Sequence, residues 1–238
     1  MHWPDTIRQL GGDLLSLFSP PACGACGTVL VRGEHTLCVN CLMKLPQTRF
    51  HKVCDNMIEK SFWGRVRIER ATSFFFFTKG SDFQHLLHAL KYKGRSDIGE
   101  YLGKRFGNEL ITQPAFSHFD RIIPVPLHSD KLKKRGYNQS EMIARGLSSV
   151  LKAPVDTRTL RRTTYTETQT KKSRIERWEN VKSVFAATSA SNLNGQHVLL
   201  VDDVLTTGAT IEGCAQALLD RNPTVKISVA TLAYAHTV

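Results

Sequence analysis

The chain has 238 residues, 41% hydrophobic and 22% charged, which suffices for one substantial core plus a small satellite module and excludes disorder of the whole. The longest apolar runs, Phe74 to Phe77 and Val198 to Val201, are strand-sized, far short of the roughly 20 residues a membrane span requires. Of the net charge of +11, a net +9 lies between Lys131 and Arg177, a concentration that suits phosphate-bearing ligands or, equally well, a solvated face.

Ile7, Leu10, Leu14 and Leu17 recur at helical spacing and predict an amphipathic helix over residues 4–18, ended by Ser19-Pro20-Pro21. The same stretch contains Asp5, Arg8, Gln9 and Asp13, so it lacks the features of a signal peptide, and a cytoplasmic protein is expected. Residues 22–58 hold five of the six cysteines and few large apolar side chains, so they read as a small module that needs another source of stability. The expected division is residues 1–58 for the helix and cysteine module and 59–238 for the main domain.

Ala71 to Thr78 reads as a strand, with Lys79-Gly80-Ser81-Asp82 as its turn. Phe83, Leu86, Leu87 and Leu90 fit one face of a helix; Ile98, Leu102 and Phe106 suggest another. Ile122-Ile123 is a strand running into Pro124-Val125-Pro126, followed by a helix from Glu141 to Leu151. A buried strand over Val198 to Val201, a helix over Ile211 to Leu219 and a last strand over Ile227 to Leu232 complete the series. Strands alternating with helices predict an α/β fold with a mostly parallel sheet covered on both faces.

Cys23-Gly24-Ala25-Cys26 and Cys38-Val39-Asn40-Cys41 are two CxxC pairs whose four thiolates can close a tetrahedron around structural zinc. Disulfides are the competing arrangement, and nothing else points to an oxidising compartment. Val198 to Val201 then leads into Asp202-Asp203 and the turn Thr206-Thr207-Gly208-Ala209-Thr210 at a helix start. Backbone amides, threonine hydroxyls and the helix start make a phosphate cradle, at the sheet edge where open α/β folds bind ligands. The adjacent carboxylates suit ribose hydroxyls and hydrated Mg²⁺, although an acidic pair alone can also cap a helix. Neither a dinucleotide fingerprint nor a P-loop is present.

The strand, acidic pair and threonine loop resemble the motif of type I phosphoribosyltransferases. The four cysteines, Leu90-Lys91-Tyr92-Lys93-Gly94, Arg135-Gly136-Tyr137-Asn138-Gln139, and the spaced Gln169, Arg177, Asn180 and Phe185 resemble the ComF/GntX branch of that family. The resemblance implies binding of 5-phosphoribosyl-1-pyrophosphate, with Asp202 and Asp203 as the catalytic pair on the ribose hydroxyls and residues 206–210 on the 5-phosphate. It also implies a loop after Ile123 facing pyrophosphate and a flap from about Arg161 to Arg177, with Arg135, Arg161 and Arg177 as candidate cations. Lys91 and Arg135 read equally well as surface cations. Only Ala233 to Val238 follow the last strand, so any cover over an acceptor is expected from the amino-terminal half.

Two functions follow as expectations. One is transfer of phosphoribose to a nitrogen nucleophile. The other, from the link of ComF relatives to natural competence, is a non-catalytic adaptor that holds single-stranded DNA and works with a competence helicase.

Overall fold

The computed structural model of the protein describes residues 20–163, 184–188 and 192–235. The predicted helix over 4–18 and, within the predicted flap, Gln169 and Arg177 lie outside the described residues, as does Asn180. The elements in chain order are α1 (Val39–Met43), α2 (Met57–Lys60), β1 (Arg70–Phe77), α3 (Asp82–Tyr92), α4 (Ser96–Leu110), β2 (Arg121–Pro124), α5 (Ser129–Arg135), α6 (Gln139–Leu151), β3 (Leu160–Arg162), β4 (Phe185–Ala187), β5 (His197–Leu205), α7 (Ala209–Arg221) and β6 (Lys226–Ala235).

Four strands form a parallel sheet in the order β1-β6-β5-β2, while β3 and β4 pair antiparallel apart from it. Val198 through Val201 are all fully buried, as a strand covered on both faces requires. Alternation along β5 sorts these residues between two layers. Leu199 and Val201 join Leu86, Leu90, Leu102, Phe106, Ile143 and Leu147 on one face; Val198 and Leu200 join Ile58, Phe62, Ile211, Ala215 and Leu218 on the other.

The cysteine module is part of the first layer: Cys23, Leu37, Cys38 and Cys41 share a cluster with side chains of α3 and α4. Leu30, Leu37 and Leu45 are buried in this cluster as well, while Val29, Val31, Val39 and Met43 stay exposed, so what a 37-residue segment cannot enclose alone is enclosed jointly with the helices. No helix among the described residues is long and apolar enough to cross a membrane.

β5 extends beyond its apolar run because backbone pairing does not depend on side-chain polarity: Asp202 stands opposite Thr231, Val204 opposite Ala233 and Leu205 opposite Tyr234. The two carboxylates are thus fixed on a strand and not on a turn. In the first layer, α4 and α6 meet backbone to backbone. A Cβ on Gly103 would lie 2.3 Å from the Ile143 carbonyl oxygen, and one on Gly146 would lie 2.2 Å from that of Glu100. Only glycine permits this approach, and the approach sets where the start of α6 lies.

Candidate functional site

The carboxyl ends of β2 and β5 and the starts of α6 and α7 converge on one edge of the sheet, the expected ligand edge of an open parallel sheet. Asp202 Oδ1 accepts hydrogen bonds from Ser140 Oγ at 2.9 Å and from the Asp203 amide at 2.8 Å. Asp203 Oδ2 is 3.1 Å from Lys91 Nζ. Desolvation first, and the neighbouring Asp203 charge second, push the Asp202 carboxyl up to about 7. The two carboxylates therefore have different partners, a hydroxyl for Asp202 and an ammonium for Asp203.

The segment Arg135-Gly136-Tyr137-Asn138-Gln139 gains a physical reading. Tyr137 Oη donates to the Leu90 carbonyl at the end of α3, beside Lys91. Asn138 Nδ2 donates to the Val125 carbonyl at 2.9 Å, and its Oδ1 caps α6 by accepting from the Ser140 amide at 3.1 Å. One short stretch thereby ties α3, the loop after β2 and, through Ser140, the acid pair into one unit. The motif is an organiser of the site.

Residues 206–208 follow β5 directly, and Gly208 takes φ 81° as the cap of α7, a conformation that favours glycine. Asp202 lines the same small recess as Thr206, Thr207, Gly208, Ala209 and Thr210, so one carboxylate of the pair and the loop face the same space. Amides at the start of a 13-residue helix, with hydroxyls beside them, can hold a phosphate there. Two residues of the amino-terminal half close over this loop: Phe62 lies against Gly208, and Arg65 Nη1 donates to the Thr207 carbonyl at 3.0 Å.

Arg135 and Lys91 line one cavity of about 450 Å³ together with Tyr92, Gly94, Lys131 and Lys134. The Arg135 guanidinium sits 5.0 Å from the centre of the Tyr92 ring and donates to Gln139 Oε1 at 2.7 Å. Four cations line this one cavity, which gives it a positive field even with Lys91 paired to Asp203. Arg161 is placed elsewhere, exposed on β3, which pairs antiparallel with β4.

The four cysteines of the module also come together, with their sulfur atoms within 4.8 Å of one another and no disulfide. Cys26 Sγ and Cys38 Sγ are 3.8 Å apart, the edge length of a tetrahedron with metal–sulfur bonds of about 2.3 Å. The Thr28 hydroxyl, 3.2 Å from Cys26 Sγ, and the Thr28 amide hold that thiol down to about 6, while burial pushes the Cys41 thiol up. Amides of Cys38 and Cys41 donate to Cys23 Sγ and Cys38 Sγ, each at 3.4 Å. The cluster can hold a metal ion in a closed shell.

Ser140, Phe62 and Arg65 are site residues that sequence reasoning missed. Ser140 adjoins a motif whose role was not legible, and Phe62 and Arg65 carry no local signal.

The phosphoribosyl transferase domain family matches residues 137–237 of this chain. DNA utilization protein YhgH of Shigella flexneri is 32% identical over 211 residues, covering 87% of this chain and 87% of that protein. Competence protein F of Haemophilus influenzae is 37% identical over 100 residues, 42% of this chain and 44% of that one. Competence protein ComFC of Bacillus subtilis is 26% identical over 156 residues, 66% of this chain and 61% of that one.

Proposed function

The chain belongs to the ComF family, whose fold is of the phosphoribosyltransferase type, and on that premise we propose that it binds 5-phosphoribosyl-1-pyrophosphate with Mg²⁺ and transfers phosphoribose to a nitrogen nucleophile. The names of its relatives, DNA utilization and competence, support a setting in DNA uptake. The observation that carries the reading is the common recess of Asp202 and the Thr206–Thr210 loop, with Asp203 and Lys91 beside it.

In this reading the loop amides and threonine hydroxyls hold the 5-phosphate, and the carboxylates of Asp202 and Asp203 accept from the ribose hydroxyls. Ser140 and Lys91 keep those two carboxylates oriented. The basic cavity receives pyrophosphate as the C1–O bond breaks and a C1–N bond forms to the acceptor, which gives up a proton. Two adjacent carboxylates offer the hard oxygen ligands that suit hydrated Mg²⁺, and the ion when bound would offset charge on the departing pyrophosphate. Zinc in the cysteine module has a structural role, because four thiolates leave no open coordination position.

Calorimetry on Asp202→Asn/Asp203→Asn tests the assignment. The folded double variant should lose magnesium-dependent binding of phosphoribosyl pyrophosphate; equal affinity in variant and parent refutes the role of the pair.

One observation favours the second reading, a single-stranded-DNA adaptor. Tyr92 is 61% exposed at the rim of the basic cavity, where an aromatic face beside cations suits a stacked base and its phosphates. Replacing Lys131, Lys134 and Arg135 by Gln should then flatten the salt dependence of DNA binding, by about 0.7 in slope for each phosphate that is no longer neutralised. An unchanged slope leaves the cavity to pyrophosphate.

A further inference from the structure

Glu212 stands in the first turn of α7, four residues beyond Gly208. A carboxylate there satisfies the positive end of the helix and repels an anion arriving at the same place. A phosphate loop with a fixed negative charge at its root is electrostatically self-defeating unless that charge is masked.

The mask is present and comes from far away in the chain. Arg65 Nη2 donates to Glu212 Oε2, while Nη1 donates to the carbonyls of Thr207 and Ser61, each at 3.0 Å. One planar fork thus joins the root of α7, the loop backbone and the turn after α2, which a lysine ammonium on a flexible stem does not reproduce. Phe62, 1% exposed, fixes the same turn: a Cβ on Gly208 would lie 2.9 Å from its ring. With about a third of each side chain exposed, the Arg65–Glu212 pair contributes little to folding, so its importance lies in where it puts charge.

We propose that Arg65 is a positioning residue of the phosphate loop, masking Glu212 and fixing Thr207 so that the loop accepts a dianionic phosphomonoester. The proposal rests on the phosphate reading of residues 206–210. It adds to that reading a charge balance supplied by the amino-terminal half of the chain.

The test is calorimetric binding of ribose 5-phosphate, at low and high salt, to the parent protein, Arg65→Gln, Glu212→Gln and the double variant. Arg65→Gln should bind about tenfold more weakly and Glu212→Gln about threefold or more tightly, with both effects shrinking in salt. The double variant should recover most of the affinity that Arg65→Gln loses, the remainder being the lost bond to the Thr207 carbonyl. A purely structural role for Arg65 would instead leave the double variant as weak as Arg65→Gln, and that result overturns the masking. Should Arg65→Gln fail to fold, Glu212→Gln decides alone, since unchanged or weaker binding there overturns the proposal. If the parent binds no ribose 5-phosphate, the phosphate reading falls and takes this proposal with it; if the parent binds and Arg65→Gln binds equally well, only the proposal falls.

Discussion

Lys91 Nζ lies 3.1 Å from Asp203 Oδ2, so a residue at the end of α3 supplies a resident cation to the acid pair on β5. The same lysine lines the basic cavity and therefore stands on the wall between the two halves of the site. Lys91→Met keeps the apolar stem and removes the charge. It should weaken binding of phosphoribosyl pyrophosphate about tenfold, a loss near 1.4 kcal/mol. Titration calorimetry in magnesium checks this, and an unchanged affinity returns Lys91 to the status of a surface cation.

Asp202 gives stability a sign with respect to pH. Its carboxyl is pushed up to about 7 in the folded protein by desolvation and by Asp203, against an ordinary value near 3.9 in an unfolded chain. Between those values the native state binds more protons than the unfolded state. Its contribution is therefore complete below about pH 4 and is lost as pH rises through about 7. Urea midpoints at pH 5 and pH 8 should fall less for Asp202→Asn than for the parent protein, and equal falls would contradict the shift.

Purified, reduced protein should contain about one zinc per chain by metal analysis. Because Cys23, Cys38 and Cys41 are buried in one cluster with Leu86 and Ile98, chelation should lower the unfolding temperature of the whole protein as well as loosening residues 22–45. Cysteines recovered as disulfides from such a preparation would count against the metal.

Gly146→Ala should destabilise the protein by about 3 kcal/mol, at the upper end of overpacking costs, because the new methyl would meet backbone atoms of Glu100 and Lys104 that have no rotamer to yield. Ser140 shares a helix with Gly146, so the same change should weaken ligand binding in whatever fraction remains folded. Urea unfolding followed by calorimetry separates the two effects.

The parts of the site that were legible in the sequence are those written within a dozen or so residues. Val198 to Val201 is a continuous apolar run, Asp202-Asp203 and the threonine loop follow it directly, and the CxxC pairs lie eleven residues apart. What could not be read is pairing across the chain: Ser140 with Asp202 spans 62 residues, and Arg65 with Glu212 spans 147. Neither partner has a periodicity or spacing that announces the other. Lys91 and Arg135 were visible as residues within motifs, but their convergence on one cavity is a property of how α3 and α5 meet. The extent of β5 was underestimated for a related reason, since apolar patterning marks where a strand is buried and not where its backbone stops pairing.

The position of β6 in the sheet has a consequence for how the molecule assembles. β6, the last strand among the described residues, is an interior one, hydrogen-bonded to β1 on one side and β5 on the other. During synthesis, β1 and the β5–β2 pair must wait as open edges, with apolar surface exposed, until the latest segment arrives and closes the gap between them. Loop closures of this length make for slow folding. Nascent chains halted before Lys226 should accordingly be prone to aggregation and to capture by chaperones, even though every residue of the acid pair and the threonine loop has already been made.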